Sequence, residues 1–125
     1  MDDFYAGRIG YYGPNGEHGR EWFEMVPHAG GRTLRAFCEM DEIGLSRDVS
    51  IALDAASRPL DAFVRVIQAG AVRGSTLFLV EPGAIETEGV TLDHGRVSQR
   101  KPLAAPLTYL GLHPLVGDAL VTIPR

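Results

Sequence analysis

Between Thr33 and Arg100 the chain alternates apolar and polar residues in short runs, and each run stops at Gly, Pro, Asp or Ser. Residues 33–42, 45–54, 59–68, 72–80 and 84–89 all follow this rule. A period of two places successive side chains on opposite faces of an extended strand. Runs of this length separated by turn residues predict an antiparallel meander in which each strand pairs with its predecessor. Upstream, residues 4–12 are aromatic and spaced by glycine, and Gly13-Pro14-Asn15-Gly16 predicts a tight hairpin whose Asn-Gly pair takes positive φ. Residues 21–27 form its returning strand. Downstream, 90–93 and 96–100 predict two further short strands. Residues 114–121 predict a short helix with Pro114 in its first turn, against the helix-weakening Gly117.

The faces of these strands carry more information than their number. Leu34, Ala36, Cys38 and Met40 share one face, and Leu45, Val49, Ile51 and Leu53 continue it, with Arg47 as the only charge in the row. Leu60, Ala62, Val64 and Val66 form the next apolar row. Alternation then fails: Phe63 and Ile67, and after them Leu77 and Leu79, fall on the face that should meet water. A sheet apolar on both faces needs a cover on both, because each large side chain is worth roughly 1.5–3 kcal/mol when buried. Arg47, Phe63, Arg65, Ile67, Leu77 and Leu79 are therefore the candidate ligand-binding residues, with Arg47 or Arg65 meeting a polar head.

Composition narrows the class of protein. A chain of 125 residues with 45% hydrophobic and 22% charged residues fits one globular domain, 1–125. A net charge of -4 with scattered arginines argues against a nucleic-acid surface. Cys38 is the only cysteine, so neither an intrachain disulfide nor a cysteine-based zinc site can form. The acidic start Met1-Asp2-Asp3-Phe4 does not read as a signal peptide, and no apolar run is long enough for a membrane helix. Cytoplasmic localisation without membrane insertion is the expectation. The apolar end Val121-Thr122-Ile123-Pro124-Arg125 has two readings, a trypsin-like cut after Arg125 or a last strand packed at an edge. The intact mass of the expressed protein distinguishes them.

Catalytic signals are weak. His18, His28, His94 and His113 show no metal-ligand spacing; solvated turn histidines are the favoured reading, and for His113, in apolar surroundings before Pro114, a satisfied structural histidine. Neither a metal nor a cofactor is expected. Cys38 lies on an apolar face with no cation expected beside it, which disfavours a nucleophile. Arg47-Asp48 and Arg58…Asp61 read as ion pairs between neighbouring strands, and Tyr11, Tyr12, Trp22 and Phe23 as an aromatic cluster across the first hairpin. Glu86 and Glu88 read as a solvated edge.

The runs Gly31-Arg32-Thr33-Leu34-Arg35-Ala36, Arg47-Asp48-Val49 and Ser57-Arg58-Pro59-Leu60-Asp61-Ala62-Phe63-Val64-Arg65-Val66, followed by Gly70-Ala71-Val72-Arg73-Gly74-Ser75, carry a resemblance at the level of pattern. Over residues 31–103 the chain resembles spiral β-roll and half-barrel proteins of the lipoprotein-carrier (LolA-like) and glycolipid-binding type. The resemblance implies an all-β fold: a strongly curved antiparallel meander of eight or nine strands, a β-roll or incomplete barrel, with an apolar interior that holds a hydrophobic ligand or a helix. The helical segment of residues 114–121 would close the chain. No functional residue carries over.

Three functions follow from the uncovered face. The first is a binding module for an apolar or amphipathic, lipid-like small molecule. The second is a self-associating protein whose apolar face is a homodimer interface. The third is a small isomerase, hydratase or lyase, for which Asp48, Asp61 or His113 would need to sit buried beside a pocket with a perturbed pKa.

Overall fold

The computed structural model describes residues 4–108, which form eight β-strands in one antiparallel sheet of order β1-β2-β3-β4-β5-β6-β7-β8. These are β1 Tyr5–Gly13, β2 Gly16–His28, β3 Gly31–Met40, β4 Leu45–Asp54, β5 Pro59–Gln68, β6 Ala71–Glu81, β7 Ala84–Thr91 and β8 Gly95–Pro102. Every strand pairs with its neighbours in sequence, and β1 and β8 are not paired with each other among the described residues. The sheet is open. No helix among the described residues is long and apolar enough to cross a membrane. The segment 114–121, expected to be helical, lies outside the described residues.

Turn chemistry sets the register. Ala69 and Gly70 join β5 to β6 with φ of 52° and 80°, the double positive φ of a two-residue hairpin loop. Pro82-Gly83 joins β6 to β7, with Gly83 at φ 80°. In the first hairpin the positive φ falls on Gly16 alone, with Asn15 remaining on the ordinary side. At Gly31 a Cβ would stand 1.9 Å from the Leu53 carbonyl oxygen, so only glycine lets β3 run beside the end of β4. Between β4 and β5, the Asp54 carboxylate accepts the backbone N–H of Ala56 at 2.8 Å and of Arg58 at 3.0 Å, which folds the connector over. Asp41–Ile43 is a single 3₁₀ turn closed by Gly44 in the left-handed conformation.

Two strands differ from the sequence pattern by more than a shift of two residues at an end. β2 begins at Gly16 rather than at residue 21, since Gly19 pairs with both β1 and β3. Residues 84–89 and 90–93 do not form separate strands, because β7 runs through Gly89 without a break. A Cβ at that glycine would lie 2.7 Å from the Ser75 carbonyl oxygen, so it marks a close approach to β6 and not a turn.

One face of the sheet, here called inner, contains the core. Cross-strand partners Met25, Leu34, Ile51 and Ala62 lie in one row; Val49 and Leu53 complete the cluster, with Phe23, Val64 and Phe78 packed against it. Met25, Leu34 and Ala62 are 0% exposed. Burial is deepest in β2–β5 and falls away towards β8, where only Val97 is partly covered.

Candidate functional site

The two faces present two different chemistries. On the inner face a polar group interrupts the core: Glu21 is fully buried, and its Oε1 accepts the Tyr11 hydroxyl at 3.2 Å and the Cys38 thiol at 3.3 Å. Register explains the grouping, since Glu21 stands opposite Cys38 and Cys38 opposite Arg47. Burial, reinforced by the Glu21 carboxylate, pushes the Cys38 thiol up to about 12, against a smaller opposing pull from Arg47. The same two causes raise the Tyr11 hydroxyl above its ordinary range. Both donors stay protonated near neutrality, which suits a structural hydrogen-bond cluster and removes Cys38 as a thiolate nucleophile. The expectation that no cation lies beside Cys38 is corrected: Arg47 is directly across the ladder, on the same face.

The outer face carries an aromatic and aliphatic stripe. Arg8, Trp22, Phe37, Asp48, Arg65 and Ser75 are successive cross-strand partners from β1 to β6. Glu24, Arg35, Ser50, Phe63, Leu77 and Glu88 form the row beside it. Trp22 and Phe37 stack with ring centroids 6.2 Å apart and planes at 28°. The Arg8 guanidinium lies over Trp22 at 5.7 Å, and the Arg65 guanidinium over Phe63 at 5.2 Å. These side chains remain in contact with solvent: Trp22 is 41% exposed, Phe37 and Leu77 37%, Leu79 38%. A shallow hollow of about 200 Å³ lies between Trp22, Phe23, Glu24, Arg35, Phe37 and Asp48. A second, of about 470 Å³, lies at one end of the sheet between the β4–β5 and β6–β7 connections and the segment after β8, with Pro59, Val80 and Leu103 in its walls.

The sequence-derived site residues divide between the faces. Phe63, Arg65, Ile67, Leu77 and Leu79 share the outer face, with Leu79 opposite Asp61 and Ile67 opposite Ser46. Arg47 sits on the inner face, opposite Val66. Arg47 and Arg65 therefore cannot meet the same ligand head across the stripe. Trp22 and Phe37 join the stripe although sequence reasoning left them out; their signal was odd-even parity, which becomes usable only once β2–β3 register is known. The expected cluster of Trp22 with the tyrosines gives way to Trp22–Phe37 stacking, because Tyr11 turns inward to Glu21.

Ion pairs also differ from the expected ones. Arg47 and Asp48 point to opposite faces, and neither Arg58 nor Asp61 has an ion-pair partner among the described residues. Arg20 instead gathers Glu17 at 3.2 Å, Glu39 at 3.3 Å and Asp41 across β2, β3 and the 3₁₀ turn. Its guanidinium holds the Asp41 carboxyl below the usual carboxylate range, and Arg8 does the same for Glu17. Arg100 joins Glu81 and Glu86, so Glu86 is paired and not merely solvated. No group of three or more acidic, histidine or cysteine side chains suited to a metal ion occurs among the described residues. Comparison with models of known families, with curated proteins and with solved structures gives no match.

Proposed function

We propose that this domain is a binding module that takes an amphipathic small molecule on the outer face of a sheet curled around its own core. The observation that carries the reading is the contrast between the faces. Inner-row residues reach complete burial, whereas Trp22 and Phe37 on β2–β3 and Leu77 and Leu79 beside Phe63 on β5–β6 remain over a third exposed, in two apolar patches separated by Asp48 and Ser50 of β4. Two apolar patches flanking a polar strand suit an amphipathic partner, because clustered exposed apolar side chains often mark interaction surfaces. The same contrast supports the curvature in this reading, since bending around one face, as in a β-roll or incomplete barrel, is a way for a single sheet to bury that face deeply. The flanking Arg8 and Arg65, and the charges of Glu24, Arg35 and Asp48, supply polar contacts at the rim of the apolar stripe.

Native mass spectrometry on protein purified without organic solvents, combined with displacement of an environment-sensitive dye by alkyl-chain compounds, tests the reading. A bound species or saturable displacement is expected; the absence of both overturns it. Self-association is the second reading, favoured by the outer edges of β1 and β8, which pair with no further strand among the described residues. Light scattering separates the two, since a monomer at micromolar concentration leaves the stripe open for a ligand.

A further inference from the structure

We propose that the hollow between Trp22, Phe37 and Asp48 binds an organic cation, a trimethylammonium-type head group whose apolar remainder lies along Phe63 and Leu77. This inference rests on the outer-face reading above and specifies its ligand. Charge accounting in the hollow decides the sign of the guest. Glu24 is neutralised by Arg35, whose Nη1 lies 2.7 Å from Glu24 Oε1. Asp48 is exposed and has no ion-pair or hydrogen-bond partner among the described residues. Its cross-strand neighbour Arg65 would be the natural partner, but that guanidinium is turned away, donating to Ser75 Oγ at 3.2 Å and lying over the Phe63 ring. The hollow thus has one carboxylate without an ion-pair partner beside two aromatic side chains, whose electron-rich rings favour a cation. An anionic guest would meet the unpaired Asp48 carboxylate.

Geometry and size agree with a head group rather than a whole ligand. The stacked rings of Trp22 and Phe37 present an aromatic wall on the β2–β3 side, with Asp48 on the adjoining strand. Arg8 already occupies a cation position over Trp22 from the β1 side, and it does not line the hollow. A volume of about 200 Å³ is smaller than the roughly 300–1,000 Å³ of pockets that enclose drug-sized molecules, so the remainder of the ligand must lie outside. The exposed surface adjoining Asp48 is Phe63 and Leu77, one cross-strand row away. A soft, weakly hydrated cation is favoured over a compact ammonium because it loses little hydration when it settles on rings that remain partly wet.

Trp22 is the only tryptophan and lines the hollow, so its fluorescence responds to a guest there. The experiment titrates the protein with choline and, separately, with 3,3-dimethylbutan-1-ol, which has the same shape without the charge. Choline is expected to bind at least about tenfold more tightly, with the preference declining as salt is added. Asp48→Asn is expected to reduce the preference by about tenfold without moving the urea midpoint, since the residue is exposed. Phe37→Leu is expected to weaken choline and spare the alcohol. Equal responses to the two probes, or a choline preference unchanged in Asp48→Asn, overturn the proposal. Dye displacement by alkyl chains together with equal responses would leave the outer-face reading standing and remove the cation; silence in both assays removes both.

Discussion

Replacing Leu34 and Leu77 separately by alanine asks whether the outer stripe is open in the free protein. Leu34 is 0% exposed and belongs to the central cluster, so Leu34→Ala loses both transfer energy and packing, about 3 kcal/mol within the usual 2–5 kcal/mol range. Leu77 is 37% exposed on the opposite face. Truncating it leaves a surface dent that water fills, so only the transfer contribution of its covered part is lost, about 1 kcal/mol. With a urea slope of about 2 kcal/mol/M, the midpoints should fall by about 1.5 M for Leu34→Ala and about 0.5 M for Leu77→Ala. Circular dichroism or Trp22 fluorescence follows either transition. If Leu77→Ala costs as much as Leu34→Ala, the stripe is covered in the free protein, and the reading of an open binding face is wrong. If Leu34→Ala is as mild as Leu77→Ala, the assignment of the core to the inner face fails.

Other expectations concern the turns and the buried donors. Ala69→Gly should stabilise the fold by about 0.5 kcal/mol, because relief of the left-handed alanine exceeds the added freedom of the unfolded chain; a lower urea midpoint contradicts this. Gly31→Ala should destabilise by about 3 kcal/mol or more through the collision with the Leu53 carbonyl, which thermal melting reads directly. Stability should fall as pH rises above about 9, the ordinary thiol value, and continue falling towards about 12, because the unfolded chain deprotonates Cys38 before the folded one does. The buried, raised Tyr11 hydroxyl acts with the same sign. Urea midpoints measured across this range, flattened in Cys38→Ala, check it. Native protein at pH 8 should also resist alkylation at Cys38 until denaturant is added.

Much of the architecture was readable because alternation is a local property. Runs 45–54 and 59–68 coincide with β4 and β5, and the apolar row through Leu34, Val49, Ile51 and Ala62 is the core. The odd position of Arg47 was also legible, since parity along β4 alone puts it among the apolar residues. What escaped depends on register between strands. Bulges between Tyr11 and Tyr12, Ala52 and Leu53, and Val66 and Ile67 shift the pairing by amounts that composition does not encode. Without that register Tyr11 cannot be matched to Glu21, nor Trp22 to Phe37, nor Arg47 separated from Arg65. Glu21 was the hardest case: a carboxylate in an alternating strand ordinarily signals the solvent side, and the donors that offset its burial, among them the hydroxyl of Tyr11 and the thiol of Cys38, come from other strands.

Strict pairing of each strand with its chain neighbour has a kinetic consequence. Sandwiches and Greek-key barrels must bring distant segments together before any reward, whereas here every ladder closes across one short turn. The sheet can assemble as a growing ribbon of hairpins and should fold faster than all-β proteins of similar length. Its protection against amide hydrogen exchange should be graded, slowest in β3 and β4 beneath the core and fastest in β8. Loss of the last strand would then fray the ribbon from one end and leave the core hairpins paired.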